Sequence, residues 1–230
     1  MKASGAWPDL PEVQRVVQRH FPEAFLVNGT TAALHVHHRV SPDVDSVLPD
    51  LRSSFPEVVR RLEDLAGWRS RRLRPPVLVL GQLEGVDVGI RQFRRALPLE
   101  TETIDGIVVP TLPEMLRIKG WLVVTRNALR DYLDFCALAH ALDAGVEAAL
   151  RDMHVYYPQP ADADPTLLQL AKQLAEPKPY DLGGDPPDLG AWRELQPPWT
   201  DWEYVTGFSR RLGGRLVHML LDATEGEPSI

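Results

Sequence analysis

A single cysteine, Cys136, stands in the 230-residue chain. No internal disulfide and no cysteine-based zinc cluster can form, which fits a reducing compartment. Long apolar runs are missing as well. The longest candidate, Trp121 to Val124, falls far short of the roughly 20 residues that a membrane helix needs. The opening stretch MKASGAWPDLPEVQ carries no apolar block of the signal-peptide kind. A cytoplasmic protein without membrane contact is expected. An excess of positive charge is also absent: 25 Lys and Arg face 32 Asp and Glu, for a net charge of −7. Any contact with nucleic acid must therefore come from a local patch, not from the field of the whole molecule.

The chain is long enough for one large domain or two small ones, and its 44% hydrophobic content is enough to fill a core. The first half alternates helix-like and strand-like segments. Asp9 can cap a helix running through VQRVVQRH. Ala24 to Val27 reads as a short buried strand, broken by Asn28 and Gly29, after which TTAALHVHHR can form a second helix that Pro42 ends. DVDSVL follows as a strand, and residues 50–66 as a helix that Pro56 interrupts or restarts. VLVLGQL and GVDVGIRQF read as a hairpin about Glu84-Gly85, and IDGIVV as one further strand. From Pro113 the apolar spacing changes to three and four, and helices are expected over most of the remainder. The fold class is α+β: a mixed sheet with helices over residues 1–110, then an all-helical region over 111–230.

Two features suggest chemistry. Asp43 and Asp45 are two apart on an expected strand, so both carboxylates project from one face. Such a pair suits Mg2+, a hard ion that takes a few carboxylates together with phosphate oxygens. Some fifteen residues upstream, a Gly-Thr turn opens a helix, whose exposed N–H groups favour a phosphate. The second feature is basic. Between residues 60 and 95 lie nine arginines: Arg60, Arg61, Arg69, Arg71, Arg72, Arg74, Arg91, Arg94 and Arg95. WRSRRLRP reads either as a solvated loop or as a phosphate- or RNA-binding patch, with Arg69, Arg71, Arg72 and Arg74 as the contacts.

The stretch FLVNGTTAALHVHHRVSPDVD resembles the first motif of the AbiEii-like nucleotidyltransferase toxins, a Gly-Gly-Thr/Ser turn and helix followed by His-Arg-x-Ser-x-Asp-x-Asp. Gly29, Thr30, His38, Arg39, Ser41, Asp43 and Asp45 fall in register, and Asn28 departs from the first glycine. A second block, IKGWLVVTRNALRDYLDF, is similar to that family's lysine helix and its Arg/Lys-Asp-x-x-Asp helix through Lys119, Arg126, Arg130, Asp131 and Asp134. Arg126, Arg130 and Asp134 also read as one helix face at spacings of four. Lys119 falls among apolar residues, where a lysine ordinarily snorkels to solvent.

The resemblance implies a nucleotidyltransferase-type mixed sheet and a Mg2+-dependent transfer of NMP from an NTP to an acceptor. The family's acceptor can be the tRNA 3′ end, and its role is often that of a toxin restrained by an antitoxin protein. Asp43 and Asp45 would hold the metal. Gly29, Thr30, Arg39, Ser41 and Arg126 would bind the nucleotide. Lys119 would neutralise triphosphate charge, and Asp131 would complete the site or activate the acceptor hydroxyl. Nucleotidyltransferases usually add a third carboxylate on a later strand, where this chain has Gly89. Asp87 lies two residues earlier on the same strand face and is the expected substitute. Loss of that third ligand would leave a nucleotidyltransferase-fold module that binds nucleotide, RNA or protein without chemistry. His35, His37 and His38 are poorly arranged for zinc, and Cys136 in its apolar helix reads as core.

Overall fold

The computed structural model describes residues 10–41, 43–95, 97–183, 187–189, 192 and 194–225. Asp9 and Pro42, to which a cap and a helix stop were assigned, lie outside the described residues. The chain forms two compact units. One takes in the described residues of Met1–Leu34, Ser41–Arg94 and Glu100–Pro110. The other takes in those of His35–Val40, Arg95–Leu99 and Thr111–Ile230. Two short segments from the first half of the sequence thus belong to the helical unit.

In the α/β unit the order is α1 (Leu10–His20), β1 (Phe25–Leu26), α2 (Gly29–Val36), β2 (Asp43–Leu48), α3 (Leu51–Glu63), β3 (Trp68–Arg74), β4 (Leu78–Leu83), β5 (Val86–Gln92), β6 (Thr101–Ile104) and β7 (Ile107–Pro110). Five strands form a mixed sheet in the order β1-β2-β5-β4-β3, in which only β2 and β5 run parallel. Strand β2 alternates strictly: Val44, Ser46 and Leu48 are buried, while Asp43, Asp45 and Val47 are half-buried. The buried face meets Val13 and Val17 of α1 and Leu51, Phe55, Val58 and Leu62 of α3 in one apolar cluster. Those four α3 residues recur at spacings of four, three and four, the stripe of an amphipathic helix. Pro56 lies within α3, which runs through it instead of restarting.

The expected β4–β5 hairpin is present. Its two-residue turn has positive φ at both Glu84 (51°) and Gly85 (82°), the geometry that matches strand twist. IDGIVV is not one strand but a hairpin, β6 and β7, with the same device at Asp105 (51°) and Gly106 (76°). WRSRRLRP is not a loop. It supplies β3, an edge strand whose exposed residues lack the apolar alternation by which strands are read; backbone pairing to β4 holds it.

The helical unit contains α4 (Leu112–Arg126), α5 (Leu129–Leu142), a 3-10 turn (Asp143–Gly145), α6 (Val146–Leu150), α7 (Met153–Tyr156), α8 (Thr166–Ala175) and α9 (Trp202–Glu225). Helix α5 is buried all round from Asp131 to Ala139, as befits a central helix. Asn127 ends α4 in the left-handed conformation at φ 50°, ψ 40°. Arg126 therefore belongs to α4 while Arg130 and Asp134 belong to α5, and the expected single face of spacing four does not exist. Helices α8 and α9 approach closely at Gly213, where a Cβ would stand 2.7 Å from the Ala175 nitrogen. Burial raises the Cys136 thiol pKa to about 12, in keeping with its place in the core. Among the described residues no helix is long and apolar enough to cross a membrane.

Candidate functional site

Asp43 and Asp45 project together from the face of β2 opposite the core. Three side chains from the entry to α2 and the stretch just before β2 fix Asp43. The Asn28 amide donates to the Asp43 carbonyl at 2.6 Å, and the Thr30 hydroxyl donates to the same carbonyl at 2.7 Å. Asn28 Oδ1 accepts the Thr30 N–H at 2.8 Å, a side-chain cap on α2. The Ser41 hydroxyl donates to Asp43 Oδ1 at 3.0 Å. Asn28 is not among the described residues with positive φ; it serves this turn as a cap on α2. Thr30, expected to cradle phosphate, has both its hydroxyl and its N–H engaged within the turn. It fastens α2 against β2, with Gly29 at the helix start.

Asp45 keeps a quarter of its side chain exposed and has the Arg91 guanidinium 3.6 Å away. The β2–β5 register sets Asp43 opposite Asp87 and Asp45 opposite Gly89. A Cβ on Gly89 would lie 2.1 Å from Asp45 Oδ1, so the Asp45 carboxylate leans over the space that a third acidic side chain would fill. Asp87 shares the sheet face, yet it does not gather with the other two. Its Oδ1 accepts from Arg71 at 2.8 Å and from Gln82 at 2.9 Å, drawn toward the outer strands by a cation and an amide. Among the described residues no three His, Cys, Asp or Glu side chains are grouped to hold a metal. A pair of carboxylates does fit Mg2+, which takes one or two from protein and completes its shell with water and substrate phosphates. A cavity of about 500 Å³ opens at the carboxyl ends of β2 and β5, lined by Arg52, Ser53, Gln92 and Arg94 among others. Neither aspartate lines it, since both lie toward the amino end of β2.

The second block builds something different within the helical unit. Asp134 is fully buried and holds a convergence of donors. Arg39 donates from Nε at 2.7 Å and from Nη2 at 2.9 Å, His38 lies 2.7 Å away through Nε2, and Lys119 Nζ stands 2.7 Å off. Burial alone would raise the Asp134 pKa, but Lys119, Arg39 and His38 hold it well below the usual carboxylate range. Asp131, also buried, pairs with Arg126 at 2.9 Å and lies 3.9 Å from Lys119. Burial raises its pKa, opposed by the charges of Lys119 and Arg126. Lys119 therefore does not snorkel: its side chain is 4% exposed and ion-paired. Arg39, expected to bind nucleotide, is a bidentate partner of Asp134. A parallel network surrounds buried Glu114, which pairs with Arg95 and, at 3.0 Å, with Arg117. Both guanidinium groups lie over the Tyr156 ring, at 4.7 and 4.5 Å. Arg95, counted among the basic segment, is thus an internal strut.

The architecture has counterparts of known structure. JHP933 from Helicobacter pylori superposes with a TM-score of 0.56 over 94% of this chain and 94% of its own, at 15% identity. A Helicobacter pylori protein assigned as a nucleotidyltransferase gives the same TM-score and identity over 97% of this chain and 100% of its own. The fold is of the nucleotidyltransferase type. At that identity the likeness concerns the fold alone. No family model matches the chain. Sequence relatives are partial. The heme uptake protein MmpL11 of Mycobacterium tuberculosis is 36% identical over 114 residues, covering 45% of this chain and 12% of MmpL11. The mycolic acid-containing lipids exporter MmpL11 of Mycolicibacterium smegmatis is 34% identical over 130 residues, 52% of this chain and 13% of its own length. The match thus spans about an eighth of these relatives.

Proposed function

We propose that this nucleotidyltransferase-fold chain is an Mg2+-dependent enzyme that moves NMP from an NTP to an acceptor hydroxyl. The observation that carries the reading is the pairing of Asp43 and Asp45 on one open strand face, with the capped start of α2 fastened to Asp43 itself. In this reading the acceptor hydroxyl gives up its proton to water, its oxygen bonds to the α-phosphorus, the bond from that phosphorus to the bridging oxygen breaks, and pyrophosphate leaves. Asp43 and Asp45 would hold the ion, which when bound stabilises charge on the phosphate oxygens. Ser41 orients Asp43 through its hydroxyl. Gly29 brings the N-terminus of α2, with its partial positive charge, to the same strand. Thr30 and Asn28 keep that turn in place. Lys119, Asp131, Arg39 and Arg126 take the supporting part of a buried ion cluster.

The resemblance to the AbiEii-like toxins extends the reading to a tRNA 3′ end as acceptor, a cytoplasmic setting and restraint by an antitoxin protein. Transport and heme uptake are named for MmpL11, and the part of it matched by this chain gives no ground to carry them over. A second reading, a nucleotidyltransferase-fold module that binds nucleotide, RNA or protein without transfer, is favoured by one observation: Asp87 is engaged by Arg71 and Gln82 while Gly89 offers no carboxylate. Incubation with labelled NTPs, Mg2+ and total RNA separates the two. Label on RNA that disappears in Asp45→Asn supports transfer. Nucleotide binding that depends on Asp43 and Asp45, with no labelled product under any NTP, supports the second reading.

A further inference from the structure

Strand β3 places four arginines where simple alternation would not. Successive side chains of a strand point to opposite faces, so Arg69 and Arg71 would project one way and Arg72 and Arg74 the other. The β3–β4 register is broken between Ser70 and Arg72, with Arg71 the extra residue. Arg69 sits opposite Gln82, which sits opposite Asp87, which sits opposite Asp43. Beyond the bulge, Arg72 sits opposite Leu80, then Gly89, then Asp45. Arg74 sits opposite Leu78, then Arg91. Arg71 joins them by reaching Asp87 at 2.8 Å. The single inserted residue therefore brings all four arginines to the face that carries the two aspartates, a use of bulges seen where a side chain must be re-aimed.

All four are exposed. Among the described residues no acid pairs with Arg69, Arg72 or Arg74, in a chain whose net charge is −7. Arg72 and Arg74 stand about 6.7 Å apart along the strand, and β3 lies three strand spacings, about 14 Å, from β2. We propose that the bulged β3 edge is a track for the phosphodiester backbone of single-stranded RNA, whose end reaches the Asp43–Asp45 strand. Charge complementarity selects a polyanion. The shared face selects a linear one: an anionic lipid surface laid on this face would meet Asp43, Asp45 and Asp87, whereas a strand can place its phosphates on β3 alone. Guanidinium groups suit the task, since each can grip a phosphate with two parallel hydrogen bonds. Only the fate of the RNA end rests on the transfer reading; the track itself does not.

The test measures binding without nucleotide or metal, by fluorescence anisotropy of a labelled 12-nucleotide RNA on the full chain. Four phosphate contacts predict that affinity falls about 50-fold between 50 and 200 mM salt, and three predict about 18-fold. The double exchange Arg72→Leu with Leu73→Arg leaves composition and net charge unchanged but moves one guanidinium to the other face. It should bind more weakly and show the shallower salt dependence. The triple variant R69E/R72E/R74E should lose salt-dependent binding altogether. Arg60→Gln, on α3 and already paired with Glu57 and Asp64, should bind as the parent does. Thermal melts confirm folding; if the exchange does not fold, R69Q, R72Q and R74Q should each weaken binding and reduce the salt dependence. Parent-like RNA binding by the exchange, or by all three single variants, overturns the proposal. So does binding to phosphatidylglycerol vesicles without binding to RNA. Loss of the track with NTP transfer intact, or the converse, tells a failure here from a failure of the transfer reading.

Discussion

Two aspartate groups in this chain share a spacing of a few residues and a place in a motif, yet their surroundings are opposite. Asp43 and Asp45 lie on the face of a strand opposite the core, Asp43 aligned by the Ser41 hydroxyl and Asp45 with the Arg91 guanidinium 3.6 Å away. Asp134 lies where no water reaches and receives Lys119, both sides of Arg39 and His38. The first arrangement lies on the side of the sheet away from the apolar core. The second satisfies its carboxylate from within. A fully buried charge that lost its partners would be costly, whereas a half-buried one keeps contact with water. One residue type thus stands in two electrostatic settings, told apart by burial and by the cations gathered around Asp134.

The sharpest break of that contrast is Asp134→Ala. It strands Lys119 and Arg39 in the interior and should cost about 3–5 kcal/mol of unfolding free energy, read by urea titration. A loss under 1 kcal/mol would mean that the cluster does not hold the helical unit. Asp45→Asn should do the reverse: NMP transfer falls by more than about 100-fold, beyond the loss usual for groups that only support metal ligands, while stability stays within about 1 kcal/mol. Equal transfer by the variant would remove the metal role. Acid sharpens the comparison further. The Asp134 pKa is depressed on folding, so its stabilisation is complete above the unfolded value of about 3.9 and is lost as pH falls through the lower folded value. Asp131 has the opposite sign: its burial cost stands above its raised folded pKa and is relieved as pH falls through it. Melts from pH 2 to 6 should therefore show a loss below about pH 4 that Asp134→Asn flattens. The smallest effect is expected from Asn28→Ala, which removes the α2 cap and should cost about 1 kcal/mol in a thermal melt. A much larger drop in transfer than in stability would show that the Asn28 bond to the Asp43 carbonyl also sets the carboxylate's position.

What could be read beforehand followed from pattern. Asp43-x-Asp45 alternates with Val44, Ser46 and Leu48, so strand and facing both come from the sequence, as does the Glu84-Gly85 turn. Strand β3 could not be read that way, because Arg69 to Arg74 carry no apolar alternation and the bulge cancels what parity would suggest. Lys119 and Asp134 were legible as a motif but not as a closed cluster. Their partners His38 and Arg39 are over 90 residues from Asp134, and no local period reports a pairing at such separation. One clue was available: Asp134 sits between Leu133 and Phe135, ahead of the apolar run Phe135 to Ala139, where a carboxylate needs a cation. Asp87 shows the limit of facing arguments, since it shares the right face and still turns to Arg71.

The alternation of the chain between its two units also bears on biosynthesis. His38 and Arg39 leave the ribosome long before Asp134 exists, and Arg95 precedes its partner Glu114. Until α4 and α5 have been made, these side chains have no carboxylate to meet, so the helical unit closes late. The same order of events means that residues 111–230 expressed alone would carry Asp134 and Glu114 without His38, Arg39 and Arg95. Neither unit can be cut out as one continuous piece; a soluble fragment would need the segments 35–40 and 95–99 supplied again.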